Sequence, residues 1–326
     1  MKRTGSLILA ALALLSPGAA LAGEECRPQR YAAFDMTPTG GHAGFRIPVE
    51  LDGRTQQMVV SLGHQTYIYD RYAEATGLHL HNIAHNANHF GFNGKKLTDF
   101  VRLPRIAIAG VVGTDIPALV IPAPDATPAE VAGVLGTDLL ANFDVEVDMR
   151  ARKLSLFKPD PCDGAGVYWS ASFAALPMNK NRAGQETVSL KLDGHDISTM
   201  FDLDHRYSFM SRHLAERSFG VPYSHTSHVE WDDTDDPPGA NGYRFAALEG
   251  GGLTINHPLV RLQGNSNDPI CDSGHTDLPL GDLHGDVRAC FDGGELKLGL
   301  NDLEQLHLLF AFKAQKLYLT SADAYP

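Results

Sequence analysis

The sequence repeats one pattern: VELDGRTQQMVVSLGH at Val49–His64 returns, 141 residues later, as LKLDGHDISTMFDLDH at Leu190–His205. Each copy has two apolar stretches separated by an Asp-Gly pair, at Asp52-Gly53 and at Asp193-Gly194. Asp-Gly between two apolar runs is a strong short-range signal for a β-hairpin. Each copy therefore predicts a strand, a tight turn, a second strand and a polar loop.

A second block repeats further along each copy. It opens with LGTDLL at Leu135–Leu140 and with LGLNDL at Leu298–Leu303, and in each copy a stretch follows in which every second residue is apolar. These residues are Phe143, Val145, Val147 and Met149 in one copy and Leu306, Leu308, Phe310 and Phe312 in the other. Such alternation predicts half-buried strands that form a closing hairpin. Because the second blocks lie 163 residues apart, we expect 22 additional residues in the second copy, between Ser224 and Gly294.

The composition is that of an acidic globular protein. The 326 residues include 27 Lys and Arg against 39 Asp and Glu, which gives a formal net charge of -12. A surface of this sign repels phosphate, so the composition argues against a partner that is a nucleic acid or an anionic membrane. The length allows two domains, and an apolar content of 43% is enough for a core.

The first 22 residues have the features of a secretory signal peptide. Lys2 and Arg3 precede an apolar run over Leu7–Leu15, and Ala20-Leu21-Ala22 is a small-x-small cleavage pattern. The run is too short to cross a bilayer, and no later stretch approaches the ~20 apolar residues that a membrane helix needs. We therefore expect removal of residues 1–22, no membrane span, and a protein that is periplasmic or secreted.

The four cysteines are expected to form disulfides in such an oxidising compartment. Of the three possible connectivities we favour Cys26 with Cys162 and Cys271 with Cys290. The first bridge would tie the start of the mature chain to the start of the second copy, and the second would close a loop inside that copy. The alternative of a thiol or metal site has no Cys-x-x-Cys spacing to support it.

The order of these elements resembles that of retropepsin-like aspartic peptidases, notably the exported bacterial forms. The resemblance rests on the apolar strands that lead into Ser61-Leu62-Gly63 and Asp202-Leu203-Asp204, where the family has Asp-Thr-Gly, and on the two second blocks. It covers nearly all of the mature chain and occurs twice. It implies an all-β fold with two lobes, residues 23–160 and 161–326, arranged as in pepsin about a pseudo-twofold axis, with a substrate cleft between them.

The chemistry of that family needs two carboxylates that share a proton and activate a water molecule. Asp202 stands at one of the two positions, but Ser61 stands at the other, and a hydroxyl does not ionise near pH 7. The loop glycine survives as Gly63 and becomes Asp204 in the second copy, where we expect the turn to persist with a positive φ at some cost. These changes predict a non-catalytic homologue that binds an extended peptide or another ligand in the cleft.

His64 and His205 stand at matching positions, three residues after Ser61 and Asp202. If the two lobes form a pseudo-dimer, both imidazoles approach its axis. Together with a carboxylate they could bind zinc, although we favour a hydrogen-bonded polar cluster. Two enzymatic alternatives follow: an active aspartic endopeptidase that uses Asp202, and a metal-dependent hydrolase that uses His64 and His205. A structural module of the cell envelope is a third alternative.

Other polar clusters are expected to be solvated. The predicted flap hairpins contain His79, His81, His85 and His89 in the first copy and His225 and His228 in the second. We expect surface histidines there, against the alternative of a metal-binding or pH-sensing flap. The acidic run at 232–236 lacks the regular spacing and the closing Glu of a calcium loop, so it predicts a solvated loop.

Overall fold

The computed structural model describes residues 28–39, 44–84, 97–124, 127–159, 164, 167–181, 184–229, 241–263 and 295–323. Within these ranges the chain folds mostly as β-strands with a few short helices, so the all-β prediction is confirmed. The predicted signal peptide and all four cysteines lie outside the described residues. Among the residues that are described, no helix is long and apolar enough to cross a membrane.

The first half of the chain is a succession of strands interrupted by two short helices. The strands are β1 (Arg30–Asp35), β2 (Thr37–Pro38), β3 (Phe45–Leu51), β4 (Arg54–Val60), β5 (Tyr67–Tyr69), β6 (His81–Asn82), β7 (Asp99–Ile108), β8 (Val111–Ile121), β9 (Val131–Leu135), β10 (Asp144–Asp148) and β11 (Lys153–Phe157), and the helices are α1 (Asp70–Thr76) and α2 (Thr137–Leu140).

The second half has a matching succession, with a 3-10 turn at Tyr223–His225. Its strands are β12 (Ala174–Lys180), β13 (Glu186–Leu192), β14 (His195–Phe201), β15 (Ser208–Ser211), β16 (Ser227–His228), β17 (Asn241–Arg244), β18 (Ala247–Gly250), β19 (Leu253–Asn256), β20 (Leu259–Gln263), β21 (Glu295–Leu298), β22 (Leu306–Ala311) and β23 (Lys316–Ser321), and its helices are α3 (Arg212–Phe219) and α4 (Leu300–Leu303).

Both halves pair their strands in the same order. The order is β2-β3-β4-β9-β5-β8-β7-β6 in the first half and β12-β13-β14-β21-β15-β20-β17-β16 in the second. In each half the strand that enters the polar loop pairs in parallel with the strand of the second block: β4 with β9, and β14 with β21. The repeat in the sequence is therefore a repeat in structure, and each polar loop lies at the same point of its sheet.

All but one of the 22 additional residues of the second half belong to one segment; the remaining one lies in the second polar loop, between Asp202 and Ser208. The pairing of β5 with β8 recurs as the pairing of β15 with β20, so the two halves still correspond at Ile121 and Gln263. The next strand begins at Val131 in the first half but only at Glu295 in the second. This segment thus lies within 264–294, outside the described residues, and the acidic run at 232–236 is not part of it.

Both Asp-Gly turns adopt the left-handed backbone that the sequence predicts. The φ angles are 48° and 78° in Asp52-Gly53, and 48° and 81° in Asp193-Gly194. Positive φ at two successive residues is the requirement of a type I′ turn, whose twist matches that of the hairpin. Each Asp side chain also accepts a main-chain hydrogen bond, from Arg105 at 3.0 Å and from Ala247 at 2.9 Å, and so ties its hairpin to the next strand.

A central sheet joins the two halves in the order β1-β11-β10-β22-β23-β12. At its middle β10 pairs with β22 in antiparallel fashion, from Asp144 opposite Ala311 to Asp148 opposite His307. The two closing hairpins therefore cover each other's inner edges, which would otherwise carry unpaired main-chain groups. Apolar side chains of both halves form one continuous buried cluster that includes this sheet.

The prediction that the central strands are half-buried is wrong for β10 and β22. All their residues are buried, including Glu146 and His307, whose side chains are each 3% exposed. The face of the central sheet that carries Glu146 and His307 is covered by Val167–Trp169. The Trp169 ring stacks on His307 with 3.9 Å between ring centroids. His307 Nε2 lies 2.9 Å from Glu146 Oε1, and the Tyr168 hydroxyl donates to the same carboxylate at 3.0 Å. The side chains of His307 and Tyr168 thus both bond to the Glu146 carboxylate.

Gly136 and Gly299 lie where each second block meets its polar loop, and neither has room for a side chain. A Cβ on Gly136 would lie 2.2 Å from the carbonyl carbon of Gln65, and one on Gly299 would lie 2.4 Å from that of Tyr207. Because main-chain atoms cannot move aside easily, we expect Gly136→Ala and Gly299→Ala each to lower the free energy of unfolding by about 3 kcal/mol or more. Urea denaturation followed by circular dichroism measures this loss.

Gly63→Ala is the matched control in the neighbouring loop. Its Cβ would lie 3.4 Å from Sδ and Cε of Met200, which is an ordinary contact with a flexible side chain. We expect a change below about 1 kcal/mol in the free energy of unfolding. A loss of similar size in all three variants would contradict the close approach of the second blocks to the loops.

Candidate functional site

Two polar loops, one from each half, form the candidate site. The N–H of Ser61 donates to the carbonyl of Leu135 at 2.9 Å, and the N–H of Asp202 donates to the carbonyl of Leu298 at 3.0 Å. These bonds continue the parallel pairing of β4 with β9 and of β14 with β21 into the loops. Ser61 and Asp202 are both buried, with exposed fractions of 0% and 1%. The fold thus places the two side chains at equivalent positions.

Each polar loop is bonded to the second block of its half through a Ser or Thr hydroxyl near its end. The sequence pattern did not identify these two residues. In the first half Thr66 Oγ1 accepts the N–H of Gly136 at 3.1 Å and donates to Asp138 Oδ1 at 2.7 Å. In the second half the Ser208 hydroxyl accepts the N–H of Gly299 at 3.0 Å and donates to Asp302. The sequence signal for these residues is a Thr five residues after Ser61 and a Ser six residues after Asp202.

Ser61 organises its loop in the way that a carboxylate would, but without charge. Its Oγ accepts the N–H groups of Gly63 at 3.3 Å and of His64 at 3.1 Å. The corresponding N–H groups of the second loop, from Asp204 at 2.7 Å and from His205 at 3.2 Å, both donate to Oδ1 of Asp202. The Ser61 hydroxyl and the Asp202 carboxylate therefore accept equivalent main-chain N–H groups in the two loops.

The second oxygen of Asp202 is engaged by His205, whose Nδ1 lies 3.0 Å from Oδ2. Burial alone would raise the pKa of Asp202, but the charge and hydrogen bond of His205 outweigh burial and hold this pKa below its usual value. Burial would likewise lower the pKa of His205, and the Asp202 carboxylate reverses the effect and raises it. The two side chains form an ion pair inside one loop.

Asp204 and His64 meet across the two halves as neutral groups. His64 Nε2 lies 4.0 Å from Asp204 Oδ2. Burial and the nearby charge of Asp202 raise the pKa of Asp204 to about 8, although a hydrogen bond from Ser61 opposes this rise. Burial and the charge of Lys297 lower the pKa of His64 to about 3. Near pH 7 Asp204 is therefore a carboxylic acid that can donate a hydrogen bond, and His64 is an uncharged imidazole.

The expectation of a positive φ at Asp204 is wrong. Neither Gly63 nor Asp204 has a left-handed backbone, so both loops turn through conformations that any residue adopts. The replacement of glycine by aspartate therefore costs no backbone strain here. What it adds is a second buried carboxyl group, which the site holds in its neutral form.

The four site residues that the sequence singled out as a polar cluster, His64, Asp202, Asp204 and His205, are close to one another in the structure. Across the residues with an assigned structure, no group of three or more His, Cys, Asp or Glu side chains is arranged to hold a metal ion. The zinc site at His64 and His205 stays a prediction.

The predicted flap regions are described in part. In the first, the rings of His79 and His81 meet edge to face with 4.7 Å between centroids, and His81 stacks on Phe100 at 5.1 Å. In the second, His225 and His228 are exposed. His85, His89 and the acidic run lie outside the described residues. The described flap histidines thus contact aromatic rings or solvent.

No protein-family model matches the chain, and no curated protein matches it. Among solved structures it is similar to basic 7S globulin from soybean, with a TM-score of 0.48 and 11% identity over 92% of this chain and 99% of that chain. It is also similar to conglutin gamma, a basic 7S globulin from lupine seeds, with a TM-score of 0.47 and 9% identity over 90% of this chain and 95% of that chain. These likenesses are distant and assign no family.

The raised pKa of Asp204 predicts the pH dependence of stability. Between its ordinary pKa of 3.8 and the folded value of about 8, the folded protein keeps a proton that the unfolded chain has lost. The stability from this proton is complete below pH 3.8 and is lost as the pH rises through about 8. Asp204→Asn stays neutral at every pH, so its stability relative to the wild type should rise with pH, by up to about 1.4 kcal/mol per pH unit.

Urea denaturation of both proteins at several pH values between 4 and 8 measures this difference. Asp196→Asn is the matched control, because Asp196 lies on the surface at the β13–β14 turn, beside Lys191. Its effect should stay small, because Asp196 is exposed and its ion pair with Lys191 is a surface pair. If the free energy of unfolding changes with pH in the same way for the wild type and for Asp204→Asn, Asp204 is not held in its neutral form.

Proposed function

We propose that the protein is an exported, two-lobed homologue of aspartic peptidases that binds an extended peptide between its lobes without hydrolysing it. The lobes are residues 23–160 and 161–326, and the cleft lies between the loops of Ser61 and Asp202. The matching strand orders of the two halves and the central sheet that joins them support the two-lobed, pepsin-like arrangement. Export is supported by the signal-peptide features of residues 1–22.

One observation supports the proposed absence of hydrolysis: both oxygens of Asp202 accept hydrogen bonds from its own loop. An aspartic dyad needs a carboxylate oxygen that holds a water molecule and takes its proton. Oδ1 of Asp202 has two N–H donors, and Oδ2 has the His205 ring. On the other side Ser61 supplies a hydroxyl that already accepts two N–H groups. Neither group is poised to activate water.

A peptide ligand is supported by the arrangement around the loops. The two halves contact each other there, since Gln185 donates a hydrogen bond to the carbonyl of Gly63 and His64 approaches Asp204. The paired strands β6–β7 and β16–β17 occupy equivalent ends of the two strand orders. Such strands offer main-chain groups to an extended chain, which is the usual basis of recognition by β-strand addition.

Peptide capture tests binding and hydrolysis in one experiment. A tryptic digest of casein is passed over the immobilised protein at several pH values from 3 to 8, and mass spectrometry identifies retained and newly cut peptides. We expect retained peptides without new cleavage sites. Cleavage at acid pH that is blocked by a transition-state mimic of peptide hydrolysis and lost in Asp202→Asn would contradict the proposal.

A pair of His→Trp variants tests whether the peptide binds between the halves. His64→Trp adds bulk where the first half approaches Asp204, and we expect it to retain about tenfold less peptide. His195→Trp adds the same bulk at the exposed β13–β14 turn and should retain as much as the wild type. Equal retention by both variants would locate the binding elsewhere on the molecule.

A further inference from the structure

A cavity of about 500 Å³ lies beside one end of the central sheet, and none of the residues that line it belongs to the two polar loops. Its walls come from the β10–β11 turn of the first half and, in the second half, from β19, the turn between α4 and β22, and the end of β23. A cavity of this size is in the range that holds a drug-sized molecule. Both halves therefore build a second place where a ligand fits.

The floor of the cavity is apolar. The side chains of Met149, Ile255, Leu306 and Ala322 line it, and all four residues are buried. They come from three different parts of the chain and pack at the junction of the two halves. Because apolar surface gains by leaving water, such a floor favours a ligand with an apolar body.

The rim of the cavity carries four charged side chains. Arg150 and Asp323 neutralise each other, since Nη1 of the arginine lies 2.5 Å from Oδ1 of the aspartate. Arg152 and Glu304 stand on different walls and are exposed. Within the described ranges of the chain, the side chains of these two residues have neither an ion pair nor a hydrogen bond. The rim thus offers one cation and one anion to a ligand.

The turn that carries Arg152 does not need its charge. Arg152 has a left-handed backbone with a φ of 51°, and Gln315 has the same backbone, with a φ of 52°, in the equivalent turn between β22 and β23. The carbonyls of Arg152 and Gln315 accept the N–H groups of Met36 and Met178, both at 2.8 Å. A neutral side chain therefore serves the same turn in the other half.

The turn that carries Glu304 does not need its charge either. Glu304 ends α4 as Ala141 ends α2, and both residues have a right-handed backbone. The N–H of Glu304 donates to the carbonyl of Leu300 at 2.8 Å, and that of Ala141 donates to Thr137 at 2.9 Å. Both charges of the rim are therefore additions to a backbone that forms without them.

We propose that this cavity binds a short apolar peptide with free ends, whose carboxylate contacts Arg152 and whose ammonium group contacts Glu304. A ligand with a single charge would leave one of these two side chains unmatched. The volume favours a peptide of about two or three residues over a single amino acid. The cavity shares no residue with the polar loops, so this proposal does not depend on the binding of a peptide between the lobes.

Isothermal titration calorimetry with the tripeptide Leu-Ala-Leu tests the proposal. The tripeptide is used with free ends, with an acetylated amino end and with an amidated carboxyl end, and leucine itself is the single amino acid. The wild type should bind the free tripeptide on the order of tenfold more tightly than either blocked form, because each blocked form loses one charge contact. Leucine should bind more weakly than the free tripeptide.

Two substitutions assign the ends of the peptide. Arg152→Gln installs the residue of the equivalent turn and should bind the free and the amidated forms equally, while it still disfavours the acetylated form. Glu304→Gln should show the reverse pattern. Lys153→Gln is the matched control, because Lys153 does not line the cavity and pairs with Asp35 at 2.6 Å. It should bind all three forms as the wild type does.

Two tryptophan variants locate the tripeptide. Thr254→Trp adds bulk to the exposed side of β19 that lines the cavity and should lose most of the binding. His64→Trp, which adds bulk between the polar loops, should bind like the wild type. Loss of binding in His64→Trp together with full binding in folded Thr254→Trp would locate the tripeptide between the loops and overturn the proposal.

Other failures leave the proposed function untouched, because the casein peptides test the cleft separately. Equal binding of the three forms by the wild type, or no binding of any form, would overturn the site. Unchanged preferences in folded Arg152→Gln and Glu304→Gln would overturn the roles of these residues. Leucine that binds as tightly as the tripeptide would overturn the peptide in favour of a single amino acid.

Discussion

The ion pair between Asp202 and His205, with 3.0 Å between Oδ2 and Nδ1, controls the chemistry of the whole centre. A buried carboxylate needs hydrogen bonds and a counter-charge, and Asp202 obtains both within four residues of its own chain. Burial and the charge of Asp202 let Asp204 keep its proton near pH 7, and burial keeps His64 beside it uncharged. The centre is a polar cluster in which both oxygens of Asp202 already accept hydrogen bonds from their own loop.

Most of the fold could be predicted from the sequence because its signals are local. Asp52-Gly53 and Asp193-Gly194 specify their turns through two successive residues, and the repeat then carries each assignment to the other half. The burial of β10 and β22 could not be predicted in this way. The alternating pattern of these strands predicts that one face is exposed to solvent. In the structure that face is covered by Val167–Trp169, a segment that belongs to neither strand, so its polar side chains are buried.

The candidate site was predictable as a set of residues, but its hydrogen bonds and charges were not. Matching positions in the repeat identify Ser61, Asp202, His64 and His205. Which carboxyl group each imidazole approaches depends on side-chain placement, and the neutral state of Asp204 depends on burial together with the charge of Asp202. A symmetric backbone thus carries an asymmetric distribution of charge.

The central claim is that Asp202 is held as an anion by its own loop while Asp204 holds a proton. Carbon-13 NMR of aspartate carboxyl groups against pH tests it most directly, with the two signals assigned through Asp202→Asn and Asp204→Asn. The account predicts that the Asp204 signal titrates near pH 8 and that the Asp202 signal stays that of an anion while the protein remains folded in acid. Titration of both carboxyl groups near pH 4, or a proton on Asp202 at pH 7, would contradict it.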